Sequence, residues 1–208
     1  GVLDASPCIE IDAPAKENHR ERVLAEEEIK KFWIGLEKAK MSDGTKLVLK
    51  LLLITAQRKC EVTQAQWSEF DLKKGWWTIP KVKSKNERTH RVPLSKMAID
   101  ILKQAKEISE DSIWIFPSTK GRSITPRSIS RAVRNNSKKK SHGSPKHTPP
   151  YGDFFNIDHF TPHDLRRTAT SMMTSLKIAE LDVSKVLNHT IQTVTSKHYN
   201  LYSYDNEK

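Results

Sequence analysis

The chain has 208 residues, 36% hydrophobic and 29% charged, which suits one ordinary domain with its own core and would make a second full one cramped. Lysine and arginine total 36 against 25 acidic residues, a net charge of +11, the balance of a surface that meets phosphate. Cys8 and Cys60 cannot make a disulfide framework, and the apolar run Leu47 to Ile54, broken by Lys50, is too short to cross a bilayer, so the expectation is a cytoplasmic protein with no membrane partner.

Residues 1–23, with Pro7, Pro14 and the charged stretch Lys16 to Arg22, lack an apolar period and read as a linker. The domain itself is placed at 24–208. Ile29, Phe32, Trp33 and Leu36 have the spacing of one amphipathic helix, and a second, central in the core, is predicted from Thr45 to Gln57. A short third helix is expected around Cys60 to Gln66. Phe70 to Leu72, Trp76 to Pro80 and Thr89 to Leu94 then read as three strands of a small meander. Further helices are predicted at Ser95 to Ile108, Pro126 to Asn135, Pro162 to Leu176 and Asp182 to Leu187, with a last segment around Thr193 to Tyr204. The segment 136–160, rich in lysine, glycine and proline, reads as a mobile basic loop. The fold class is thus mainly α with a small three-stranded antiparallel sheet.

Several side chains along this outline could carry chemistry. Arg58 follows the central helix directly, where packed backbone would hold its guanidinium; a plain helix-end arginine is the ordinary alternative. In TPHDLRRT, Thr161 to Thr168, Pro162 opens a helix and His163 and Arg166 are neighbours on its surface. A buried stripe of Leu165, Ala169, Met172 and Leu176 places Arg166 at its flank and Arg167 nearly opposite. His189 ends an apolar turn in LNHT, and Tyr199 follows ten residues later in KHYN. Lys81, Lys83 and Lys85 lie in the hairpin between the second and third strands. His159 and His163 have the spacing of a helical metal pair, but Pro162 leaves His159 outside the helix and no cysteine or carboxylate cluster completes a set. No metal or other cofactor is expected.

Taken in order, the arginine, hairpin lysine, His-x-x-Arg, histidine and tyrosine resemble the catalytic domain of the tyrosine recombinase (phage integrase) family, over roughly Leu24 to the C-terminus. Arg58 and Glu61 fit the family's T-G-x-R-x-x-E box, with Ala56 in place of glycine. Trp77, Ile79, Pro80, His90, Val92, Pro93, Leu94 and Ser95 resemble the hairpin of prophage and genomic-island integrases, a register that puts Lys85 at the catalytic lysine. His163 and Arg166 match the H-x-x-R box, His189 the histidine of L-G-H with Asn188 for glycine, and Tyr199 the nucleophile.

The resemblance implies attack by Tyr199 on a DNA phosphodiester to give a 3′-phosphotyrosyl link, with Arg58, Arg166 and His189 neutralising the phosphate, His163 as base and Lys85 as acid. It implies double-stranded attachment sites as the substrate, a tetrameric synapse of the full-length protein, and a bacterial, DNA-associated setting. A directionality factor and a DNA-bending host protein are partners it allows. It also implies that an N-terminal core-binding domain is missing and that the C-terminal end is truncated. Two rival functions share the fold: type IB topoisomerase-like relaxation, and a DNA-binding module without catalysis.

Overall fold

In the computed structural model, residues 21–137 and 151–189 are described. Residues 1–20 of the stretch read as a linker, the lysine-rich stretch 138–150, the segment around Thr193 to Tyr204 and Tyr199 lie outside the described residues. None of the described helices is long and apolar enough to cross a membrane.

The centre of the fold is helix α2 (Asp43–Thr55), whose Leu47, Val48, Leu49, Leu51 and Leu52 are all buried. Ser42 caps it by accepting from the Thr45 N–H, so the helix begins at Asp43, two residues before the predicted start. It stops at Thr55 because Ala56 turns left-handed, with φ 55°, and its N–H closes back on Leu52 O. Helix α1 (Glu26–Lys38), α3 (Lys59–Thr63), α4 (Lys96–Ser109), α5 (Pro126–Asn136) and α6 (Pro162–Ser175) all pack on α2, with α4 and α6 making the largest contacts. The last described helix, α7 (Glu180–Val186), packs on α6. Residues 64–66 leave the helix predicted for them, and a 3-10 turn, Trp67–Glu69, leads into the sheet.

The three strands form the expected antiparallel sheet in the order β1 (Phe70–Asp71), β2 (Trp76–Ile79), β3 (His90–Pro93). Trp77 pairs with Phe70 on one side and Val92 on the other. It is fully buried, stacks on Phe70 with ring centres 5.1 Å apart, and donates its indole N–H to Glu69.

Two expectations need correction. Within the segment 136–160, the described residues 151–160 have irregular backbone as expected, but they dock on the core: Phe155, Ile157 and Phe160 are buried and Phe155 and Phe160 both contact Phe32 of α1. Four apolar residues within seven positions, Phe154 to Phe160, bury enough surface to order the backbone despite the neighbouring Gly152 and Pro150. Gly35 on α1 permits this docking, as a Cβ there would lie 2.5 Å from Phe154 O. The second correction concerns α6. Of its predicted stripe only Leu165 is fully buried, whereas Leu176 is 74% exposed. The helix enters the core by its first two turns, where Asp164 and Thr168 are buried because their polar atoms are bonded: Asp164 accepts from Thr161, and Thr168 bridges Asp164 O and the Leu24 N–H.

Candidate functional site

The C-terminal turn of α7 presents three consecutive carbonyls, and side chains from four other parts of the chain converge on them. Val186 O accepts from Gln57 Nε2 at 2.9 Å and meets His90 Nε2 at 3.1 Å. Leu187 O accepts from Arg166 Nη2 at 2.6 Å, and Asn188 O from Arg58 Nη2 at 3.2 Å and from Asn86 of the β2–β3 hairpin. A helix end leaves such carbonyls without backbone partners, so cationic and amide donors are drawn there.

Arg58 is the residue just before α3. Its backbone N–H and Nη1 are both held by the buried Glu61 carboxylate, at 2.9 and 3.1 Å. Arg166 is only 6% exposed and also donates to Ala56 O, so it joins the end of α2 to the end of α7. Its bonded partners are carbonyls and an imidazole, and among the described residues no ion pair neutralises it. Burial, then the charge of Arg58, pull its pKa down to about 10, against an opposing pull from Glu61. It stays cationic at neutral pH in a site with surplus positive charge, which a phosphate would relieve.

His189 lies 3.3 Å from Arg166 Nη2 through its Nε2. A guanidinium can only donate, so in this contact Nε2 accepts and a neutral ring carries its proton on Nδ1. Burial, then Arg166 and Arg58, lower the His189 pKa below its ordinary value. His163, in the first turn of α6, reaches solvent, yet partial loss of water around its ring is the largest cause of its lowered pKa, followed by the charges of Arg167 and Arg166. Helix α6 is fixed at that turn by Pro162 and by Asp164, which accepts from the Thr161 N–H and hydroxyl and from Arg167 Nη1.

The structure separates the hairpin lysines. Lys83 is consumed: its ammonium is bonded to the Glu69 carboxylate and to Gln64 O, over the Trp114 ring. Lys85 is exposed, and no hydrogen bond or ion pair holds its side chain among the described residues. Its neighbours Ser84 and Asn86 both bond to Asn188, which brings the hairpin to the arginine site.

Arg58, Arg166 and His189 therefore form one connected group, His163 sits one turn from Arg166, Lys85 stands on a hairpin docked beside them, and Tyr199 lies outside the described residues. Gln57 and Asn86 were not singled out from sequence. Gln57 lies inside TAQRKCE, but its complete burial depends on α7, which is remote in the chain. His159 precedes α6, and among the described residues no group of three or more His, Cys, Asp or Glu side chains is placed to hold a metal.

A model of the phage integrase family matches residues 22–205. The chain belongs to the phage integrase family. Among curated relatives, the prophage integrase IntA of Escherichia coli K12 is 31% identical over 122 residues, a match covering 57% of this chain and 29% of that protein. The integrase of enterobacteria phage P4 is 36% identical over 85 residues, covering 35% of this chain and 19% of that protein. The chain thus spans less than a third of either relative. Two solved integrases share its fold: a lambda integrase tetramer bound to a Holliday junction, with TM-score 0.64 and 19% identity over 88% of this chain and 51% of that one, and the Tn1549 transposon integrase in complex with transposon right-end DNA, with TM-score 0.65 and 14% identity over 91% of this chain and 64% of that one. XerA recombinase matches with TM-score 0.63 and 18% identity over 88% of this chain and 60% of that one.

The two departures from the family's glycines now have a physical setting. Ala56 and Asn188 both have positive φ, 55° and 50°. Glycine is at ease in that conformation, asparagine tolerates it, and alanine takes it only with strain.

Proposed function

We propose that this phage integrase domain cleaves and rejoins double-stranded DNA by transesterification at the attachment sites of a mobile element, with Tyr199 as nucleophile and a covalent 3′-phosphotyrosyl intermediate. The observation that carries the reading is the convergence of Arg58, Arg166 and His189 on the turn 187–189. A phosphodiester resists attack because its own charge repels nucleophiles, and the five-coordinate transition state carries more charge still. Two guanidiniums held in advance beside the His189 turn supply that positive charge without a metal.

Attack by Tyr199 Oη forms the new P–O bond as the bond from phosphorus to the 5′ oxygen breaks. A free tyrosine has a pKa of about 10, so its proton must be removed in place. A lowered pKa leaves His163 neutral at physiological pH, the state in which it can accept that proton. The departing 5′ oxygen takes a proton from Lys85, and the commitment of Lys83 to Glu69 supports Lys85 for this role. Because the bond energy is stored in the phosphotyrosine, rejoining needs no ATP. The assignment of Tyr199 rests on its sequence register after His189.

Assembly of four protomers on two DNA sites belongs to the same proposal, and the tetrameric lambda integrase of the same fold supports it. A nicked attachment-site duplex that traps cleavage should give a denaturant-resistant protein–DNA adduct with the intact protein. Tight binding with no adduct on any cognate site would favour a non-catalytic module. Recombination between two marked sites should yield exchanged product; relaxation without exchange would favour a topoisomerase.

A further inference from the structure

The β2–β3 hairpin is tied to the His189 turn by a contact that the family's glycine could not make. The Asn188 side-chain amide donates to Ser84 Oγ at 2.8 Å. In the other direction, Asn86 donates to Asn188 O, which also accepts from Arg58. Ser84 is buried, at 6% exposure. Ser84 and Asn86 are the two chain neighbours of Lys85, so that lysine is held through its backbone flanks while its ammonium stays unbonded among the described residues. The base of the hairpin has its own anchor in Lys83, bonded to Glu69 and Gln64 O. The connection between β2 and β3 runs from Pro80 to Thr89, long enough to move freely if it were not fastened at both places.

We propose that Asn188 is a positioning residue, whose amide latches the hairpin through Ser84 so that Lys85 is delivered to the leaving oxygen beside Arg58 and His189. The inference rests on the transesterification reading above. In the step concerned, the bond between phosphorus and the tyrosine oxygen forms, the bond to the 5′ oxygen breaks, and that oxygen takes its proton from Lys85 Nζ. With the latch removed only Asn86 and Lys83 hold the hairpin, its tip is less firmly docked, and the ammonium spends less time within reach.

The test compares two nicked duplexes carrying the end junction of the element that encodes the protein, one with the ordinary bridging 5′ oxygen at the scissile phosphate and one with sulfur there. A thiolate leaves without being protonated, so the sulfur duplex does not need Lys85. Asn188→Gly preserves the positive φ and Ser84→Ala preserves the turn. With the intact protein, each variant should cleave the oxygen duplex about five- to tenfold more slowly, the loss expected for one hydrogen bond, and cleave the sulfur duplex at the unmodified rate. The double variant should be no slower than either single one, because one contact is removed in each case. Lys85→Ala should show the same selective rescue from a deeper defect. Equal slowing on both duplexes, or no slowing on either, would overturn the latch. If the unmodified protein cleaves neither duplex, the transesterification reading fails instead, which keeps the two failures apart.

Discussion

Arg166 is a buried cation whose bonded partners are backbone carbonyls and an imidazole, an arrangement of little use for stability alone. Its planar fork donates to Ala56 O from one terminal nitrogen and to Leu187 O from the other, a geometry that a single ammonium nitrogen does not reproduce. Arg166→Lys should therefore lower the cleavage rate by about 10²- to 10³-fold, measured as single-turnover adduct formation. A variant within a few-fold of the unmodified rate would remove Arg166 from the phosphate clamp. The two histidines give a pH prediction. Both have folded pKa values below the ordinary 6.5. On acidification the unfolded chain binds protons before the folded one, so the stability these rings contribute is complete above 6.5 and is lost as pH falls through their lower folded values. Proton NMR titration of the DNA-free protein should give midpoints below 6.5 for His163 and His189, and midpoints above it would contradict the account of their surroundings.

Elements place these residues by meeting at chain ends: α2 stops at Ala56, α3 starts after Arg58, and α7 stops before Leu187. The segment 151–160 supports this frame by docking on α1 at Gly35. A Gly35→Ala substitution puts a Cβ 2.5 Å from Phe154 O, where backbone must shift. It should destabilise the domain by about 1–3 kcal/mol, and each kcal/mol lowers the melting temperature by about 2–4 °C. An unchanged melting curve would mean that the segment does not dock there. Periodicity revealed α4 because it keeps one apolar face along its length, whereas α2 was legible as an apolar run that is buried on most sides. Periodicity missed the core contribution of 151–160, where the lysines before residue 150 obscured Phe154 to Phe160, and it extended the α6 stripe to Leu176, which is exposed. Arg58, His163, Arg166 and His189 were legible because they sit in short, ordered motifs. Gln57 and Asn86 were not, since their partners lie more than 100 residues away in α7 and its last turn.

Across the whole molecule the charge of +11 acts together with this local site. Arg127, Arg131 and Arg134 are exposed on α5, and Lys59, next to Arg58, bonds to Ser130 of the same helix, so a basic face continues outward from the arginine pair. Duplex affinity should fall steeply with salt, by at least about hundredfold between roughly 50 and 200 mM, if several phosphates are contacted. Replacing Arg131 with Gln should reduce the slope of log affinity against log salt by about one and weaken all sequences alike. A slope unchanged by the substitution would place the DNA on another face. The central claim is most directly tested by identifying the residue that becomes joined to DNA. The intact protein, trapped on a nicked attachment-site duplex in the presence of EDTA and digested, should yield one DNA-linked peptide, with a 3′-phosphotyrosyl bond at Tyr199 and none from Tyr199→Phe. A link at Tyr202 or Tyr204, or an adduct that persists in Tyr199→Phe, would contradict it.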